Sequence, residues 1–373
     1  MIKGKIDMLL NRRYEKQING YINMERILGH YLYTYNLEND FEGLRPINCF
    51  ESPLLAHISL TDKCNLHCPY CYAQDGSYTK DMGLDEYKTI IDKLGQQQVL
   101  SVILTGGEPL MHPQINEILE YTIQKKISIL LLSNLLLLDR INTAFLSSPY
   151  LAFQISLNGI WDDNRNNNFD LLKTVQNYKR LKELRVPVIA TIVIDNIEID
   201  LDELFSFMEK HNVTTARFGL LIKLGRSKTI EGDKKYAEYV KKVTQEILKY
   251  RNSHQQVYFT VQTEYCEFSE KHVTRRTTLC EAGVSELFVD RNGDVYPCPL
   301  FKSFKKFWCG NLLSDSMENI WNSEVMNGLR CISLKEMGCD SCNNKCGVWC
   351  RGLVYSYTGK LDVKSPFCIK ENV

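Results

Sequence analysis

The stretch ISLTDKCNLHCPYCYAQ, Ile58 to Gln74, decides how this chain is read. It places Cys64, Cys68 and Cys71 at spacing C-x3-C-x2-C directly after an apolar run. Thiolates are the usual ligands of iron–sulfur clusters, and a cubane [4Fe–4S] cluster has four irons. Three thiolates therefore leave one iron with an open position, which catalysis needs and a structural site does not. Spacing alone leaves zinc open as well, with His67 or His57 as a fourth ligand.

Outward from this loop the chain has a regular rhythm. Strand-like LLAHISL, VLSVILTGG, ISILLLSN, LAFQISLNG, PVIATIVID and TTARFGLLIK alternate with helical stretches such as LDEYKTIIDKLGQ, INEILEYTIQKK, FDLLKTVQNYKRLKEL and LDELFSFMEKHN. Six continuously apolar strands ending near Lys223 predict a parallel sheet covered by helices. That pattern gives either an open doubly wound sheet or a full or partial barrel. The thiol loop follows the first strand, at the C-terminal rim where such sheets hold their sites. Residues 1–53 carry apolar residues near helical spacing and are expected to be a helical extension, too short and too poor in strand signals for a winged-helix peptide-binding domain. The α/β unit is expected over 54–256. A cysteine-rich domain of short strands and turns is expected over 257–373.

Composition narrows the class. The chain has 373 residues, 44% of them hydrophobic, enough for a large core and more than one domain. Lys plus Arg and Asp plus Glu each total 45, so nothing in the charge asks for nucleic acid or an anionic membrane. No segment approaches the ~20 apolar residues of a spanning helix, and the N-terminus does not read as a secretory signal. A cytoplasmic setting is expected. Cysteine is the anomaly: of 14, ten lie from Cys266 onward and none between Cys71 and Cys266. Clustered thiols in a long chain of this kind point to metal rather than to a disulfide scaffold.

The loop, with Tyr70 before its last cysteine, and the TGGEP of Thr105–Pro109 after the second strand resemble the radical S-adenosylmethionine superfamily over residues 54 to about 225. The resemblance implies a partial (β/α)6 TIM-like barrel and a [4Fe–4S] cluster whose open iron binds the amino and carboxylate groups of S-adenosylmethionine. It implies reductive cleavage of that sulfonium to a 5′-deoxyadenosyl radical, which abstracts a substrate hydrogen. Gly106 and Gly107 would let the backbone approach the ligand, and Glu108 would accept from its ammonium group. Ser133 and Asn134 stand where similar proteins have Thr-Asn-Gly, with Leu135 replacing the glycine. Ser156 matches the serine of Ser-x-Asp-Gly, with Asn158 replacing the aspartate.

The later cysteines are similar to the SPASM domain, an extension of some of these enzymes. Cys280, Gly293 and Cys298 fit its opening; Cys339, Cys342, Cys346, Cys350 and Cys368 fit its close. Three residues separate Cys342 from Cys346 where the usual pattern has five. By resemblance, Cys339, Cys342, Cys346 and Cys368 would bind one auxiliary cluster and Cys280, Cys298 and Cys350 the other, for three [4Fe–4S] clusters in all. Cys309, or else Cys266, would complete the second set, the alternative being a vacant fourth position; Cys49 and Cys331 are expected to be unligated. A zinc module is the alternative for this region.

SPASM proteins mostly act on peptides or small proteins. The expected function is modification of a ribosomally made peptide, such as crosslinking, with an electron donor such as flavodoxin or ferredoxin as a further partner. A cofactor-biosynthetic oxidase or decarboxylase, a sulfatase-maturase-like enzyme and a non-catalytic metal-binding scaffold are the alternatives. Pro299 follows Cys298, where sulfatase-maturing relatives carry an aspartate; Asp290 and Asp294 are the nearest carboxylates in sequence. The RSK after Gly225 is expected to be solvated surface or a contact for an acidic leader peptide.

Overall fold

The computed structural model describes residues 6–15, 20–27, 30–37, 49–73, 80–158, 169–195, 199–229, 233–262, 280–332 and 350–367. A small antiparallel sheet comes first: β1 (Ile6–Glu15), β2 (Gly20–Ile27) and β3 (His30–Leu37), in that order. This corrects the helical reading of residues 1–53. The sequence HYLYTYNL puts a tyrosine at every second position, the period of a strand. Ile27 pairs directly with His30 in the antiparallel register of β2 and β3. The helical match arose because its window ran across more than one strand.

The main sheet has ten strands. Six parallel ones form its body: β4 (Leu55–Thr61), β5 (Ser101–Gly106), β6 (Ser128–Ser133), β7 (Leu151–Ser156), β8 (Val188–Ile194) and β9 (Thr215–Leu220). β10 (Tyr258–Val261) adds in parallel beside β9. β11 (Glu286–Val289) adds in parallel beside β4 and is followed by antiparallel β12 (Asp294–Tyr296) and β13 (Gly310–Asn311). The order is β10-β9-β8-β7-β6-β5-β4-β11-β12-β13. The expected partial barrel is present, and strands from the cysteine-rich region extend both of its edges.

Helices α1 (Leu84–Gln96), α2 (Ile115–Gln124), α3 (Leu171–Glu183), α4 (Leu201–Lys210) and α5 (Asp233–Ser253) supply the crossovers. Between β6 and β7 the connection has only short 3-10 turns. Aspartates start two of the helices: Asp170 accepts from the Lys173 amide, and Asp200 from the amides of Asp202 and Glu203. In the C-terminal part lie α6 (Met317–Trp321), α7 (Glu324–Arg330) and α8 (Arg351–Thr358).

Alternation along the strands separates two faces. Ile58, Leu104, Leu131, Ile155, Ile192 and Phe218 are fully buried against the helices. Their neighbours His57, Thr105, Leu132, Gln154, Thr191 and Arg217 point the other way and are only half-buried. The inner face is therefore a partly open chamber. Three hydroxyls on it, of Ser59, Ser128 and Thr191, are buried without a hydrogen-bond partner among the described residues.

Candidate functional site

The thiol loop leaves the end of β4, and its neighbours are held by a dense set of bonds. The Gly107 amide donates to the Thr61 carbonyl at 2.7 Å and the Glu108 amide to the Lys63 carbonyl at 2.8 Å. Gly106 has φ +144°, and a Cβ there would stand 2.2 Å from the Thr61 oxygen. The glycine is required by the close approach of two segments of this chain.

Glu108 is also engaged within the protein. It is 1% exposed, and its carboxylate accepts from the Leu110 amide, the Ser133 hydroxyl at 2.8 Å and the Asn134 amide at 2.9 Å. Burial pushes its pKa up to about 7 despite those bonds. Asn134 in turn donates to Asn65 Oδ1 at 2.9 Å, inside the thiol loop, and accepts from the Leu136 amide. Ser133, Asn134 and Glu108 thus form one network that braces the loop. Leu135, at the position where glycine is usual, is buried with φ +63°. Ser156 is exposed at the end of β7, open to a ligand. Asn158 is buried and accepts from the Val193 amide at 2.7 Å, tying β7 to β8.

Cys64, Cys68 and Cys71 are half-buried and form no disulfide. Cys64 is pushed up to about 11 by burial and further raised by Glu108 and the other two thiols, against a bond from the Leu66 amide. Cys68 and Cys71 are close enough to Cys64 to oppose its ionisation. Yet among the described residues no three His, Cys, Asp or Glu side chains converge as one metal ion requires. A cubane takes each thiolate on a different iron, so this donor set fits a cluster, and its iron core supplies the positive charge that thiolates in this place lack. His67 is exposed. His57 is engaged by Glu286, with Nε2 and Oε2 3.1 Å apart. Tyr70 packs against the core beside the loop.

The second group forms at β11 and the strands beyond it. Cys280, Cys298 and Cys350 come together from positions far apart in sequence. Burial raises all three, Cys280 to about 12 and Cys298 well above the ordinary thiol value; Cys350 raises Cys280, and Cys350 and Cys280 raise Cys298. Glu286 adds to the repulsion on each. Cys309 is placed elsewhere: its thiol donates to the Phe307 carbonyl and lies beside Ser323 and Arg330. Arg330 also senses Cys49 and Cys331 and stacks on Trp321 at 4.7 Å. Cys266, Cys339, Cys342, Cys346 and Cys368 lie outside the described residues.

The Tyr72 hydroxyl feels both groups: burial raises it well above the ordinary value, Cys71 and Cys298 raise it further, and Arg217 opposes them. Neither carboxylate near Cys298 in sequence is available to it. Asp290 accepts from the amides of Asn292 and Asp294, and Asp294 accepts from Trp308 Nε1 and Asn311 Nδ2. Pro299 opens a 3-10 turn that Cys298 caps.

Several residues that position the site carry little local signal. Arg226 donates from Nε to the Cys68 carbonyl at 2.8 Å and from its amide to the Cys71 carbonyl at 3.0 Å. Lys302 donates to the Ala73 carbonyl at 2.6 Å. Arg291, in the β11–β12 turn, pairs with Asp62 at 2.7 Å at the start of the loop. A charged residue in a turn reads as solvated surface until its distant partner is known; Arg226, within the RSK segment, is the example.

Residues 58–208 match the family model described as Radical SAM superfamily, and residues 280–347 match SPASM, described as an iron-sulfur cluster-binding domain. Mycofactocin maturase MftC of Mycobacterium tuberculosis is 26% identical over 86% of this chain and 84% of its own length. The antilisterial bacteriocin subtilosin biosynthesis protein AlbA of Bacillus subtilis is 26% identical over 76% of this chain; the chain spans 62% of AlbA. Among solved structures, Streptococcus suis SuiB superposes with a TM-score of 0.69 at 16% identity, over 99% of this chain and 98% of SuiB. SuiB bound to its precursor peptide SuiA gives 0.65 at 18% identity, over 80% of this chain and 71% of that one.

Proposed function

This chain belongs to the radical S-adenosylmethionine superfamily and carries a SPASM iron–sulfur domain, and from that premise we propose that it is a maturase that modifies a ribosomally made peptide by hydrogen abstraction. It is an enzyme of iron–sulfur clusters and S-adenosylmethionine. Cys64, Cys68 and Cys71 would hold a cluster that, when bound and reduced, would supply the electron for reductive cleavage of S-adenosylmethionine.

The chain's own residues do the rest. Ser156 and the rim of β7 face a ligand above the strand ends, while the Glu108–Ser133–Asn134 network holds the loop in place. The inner sheet face shields the reaction from bulk water, and its unpartnered Ser59 and Thr191 hydroxyls offer bonds to a substrate. His57 and Glu286, half-buried on β4 and β11, are the acid–base pair nearest the Cys280–Cys298–Cys350 group and take the role of proton acceptor.

One observation carries the reading: residues 58–208 and 280–347 match the two family models in one chain, and Arg291 of the β11–β12 turn pairs with Asp62 at 2.7 Å, so the second part meets the first at the thiol loop. The peptide class is supported by MftC and AlbA, both named for maturation or biosynthesis of peptide products, and by the SuiA complex of SuiB. An electron donor such as flavodoxin or ferredoxin belongs to the proposal, as does a reducing cytoplasm in which the thiols stay free. No described helix is long and apolar enough to cross a membrane.

The test is anaerobic reconstitution with iron and sulfide, then incubation with dithionite, S-adenosylmethionine and the product of a short peptide gene adjacent to this one. About twelve irons per chain, 5′-deoxyadenosine formation and a changed peptide mass are expected, at four irons per cubane. Deoxyadenosine formed while every adjacent peptide stays unaltered would move the substrate to another class. Zinc in place of iron would end the reading.

A further inference from the structure

We propose that Gln262 holds the backbone of the bound peptide: its side-chain amide donates to a peptide carbonyl that approaches over Gly219 on the inner sheet face. This rests on the reading of the substrate as a peptide.

Both residues lie at the carboxyl ends of their strands, the rim where sheets of this kind hold their ligands. Phe218 and Leu220 are buried against the helices, so Gly219 between them faces the chamber, as Arg217 does. On β10 Phe259 and Val261 are buried in the same way, and Gln262, next in line, is half-buried on the chamber side. Val261 is in register with Phe218, which brings Gln262 level with Gly219. Nothing in the fold asks for glycine at 219. It is not among the residues of positive φ, and a Cβ there would meet only Gln262 Oε1, at 3.8 Å, an ordinary contact. Glycine weakens a strand interior and marks a place where a ligand or another backbone comes close. At Gly219 the sheet presents bare backbone to the chamber, which suits a second backbone lying against it.

Beside this bare strip the Gln262 amide is fixed at one end and unspent at the other. The Leu220 amide donates to Oε1 at 2.8 Å, which settles which end of the side chain is oxygen. Nε2 carries two N–H donors and makes no hydrogen bond among the described residues. A donor already held by the sheet through its oxygen loses little further freedom when it binds. Being uncharged, it matches the uncharged carbonyl oxygen of a peptide rather than a carboxylate, which draws a cation or a fork of donors. Thr191, on the inner face of β8, adds a buried hydroxyl without a partner among the described residues and offers a second bond to the same peptide.

The test uses the full chain, reconstituted anaerobically, and the fluorescein-labelled product of the adjacent peptide gene. Gln262→Glu is the decisive variant. At about pH 8 its carboxylate is ionised, so it keeps an oxygen for the Leu220 amide and replaces the donor with a second acceptor. Peptide Kd, read by fluorescence anisotropy, should rise about tenfold, the worth of one uncharged hydrogen bond, with KM rising alike and kcat little changed. Gly219→Ala, whose methyl enters the bare strip without a clash, should weaken binding by a similar factor. Melting temperature, iron content and the 5′-deoxyadenosine formed without peptide should stay at the parent's values in both variants. Parent-like Kd and KM in both overturn the proposal. So does a fall in peptide-free deoxyadenosine that matches the loss of binding, which would mark a structural role. If Gln262→Glu fails to fold, Gly219→Ala decides alone. A parent protein that neither binds nor alters the peptide overturns the peptide reading itself, and this inference with it.

Discussion

The Ser133 hydroxyl donates to the buried Glu108 carboxylate at 2.8 Å, joining the end of β6 to the turn after β5 directly beneath the thiol loop. The motif glutamate is therefore a brace, and the mutations that test it are tests of stability as much as of ligand binding.

Glu108 gives a pH dependence. Its folded pKa of about 7 lies above the ordinary 4.5, so the folded state binds the proton more tightly. That contribution is fully present below pH 4.5 and is lost as pH rises to about 7, at a cost of about 3 kcal/mol. Urea unfolding of the metal-free protein at pH 5 and pH 7.5 should show this loss, and Glu108→Gln should flatten the difference. Parallel curves for the two proteins would mean that Glu108 does not titrate in this window.

Gly106→Ala should destabilise the protein by about 3 kcal/mol, because its Cβ meets the Thr61 carbonyl at 2.2 Å and its φ of +144° is strained for a side chain. Displacement of Thr61 moves the start of the thiol loop. Iron content after reconstitution should fall along with the melting temperature; normal iron in a destabilised variant would separate the two.

Leu135 inverts a usual order. Leu135→Ala loses the buried side chain and keeps the positive φ, whereas Leu135→Gly loses the side chain and relieves the strain. The glycine variant should be more stable than the alanine variant by about 1 kcal/mol, with both below the parent. Chemical denaturation of the three proteins checks the ranking.

Cys309 and Cys298 should part company in iron analysis. Cys298→Ser should lower the iron count and weaken the visible absorption, while Cys309→Ser, whose thiol faces Phe307, Ser323 and Arg330, should leave both unchanged. Equal iron loss in the two variants would return Cys309 to the ligand set.

Glu286→Gln should slow peptide modification by tenfold or more while sparing 5′-deoxyadenosine formation, because the pair with His57 lies toward the Cys280–Cys298–Cys350 side of the chamber. Rates of the two products in one reaction provide the comparison; a parallel fall in both would give Glu286 a structural role.

Local sequence was sufficient for the parallel body of the fold and for the first thiol group. The apolar runs of β4 to β9 need no distant partner to be recognised, since a strand covered on both faces is apolar throughout. Cys64, Cys68 and Cys71 lie within eight residues, so covalent spacing alone keeps them near one another. The N-terminal strands read as helix because their apolar residues, counted across two neighbouring strands, happen to fit a helical period. Tertiary structure alone placed Cys309 beside Phe307, Ser323 and Arg330, and turned Glu108 inward to Ser133 and Asn134. It alone set Arg226 and Lys302 on the loop carbonyls. Apart from Phe307, each partner lies tens to hundreds of residues away, and the pairing is chosen by which buried polar groups must be satisfied once the sheet has closed, a condition that no local pattern of residues records.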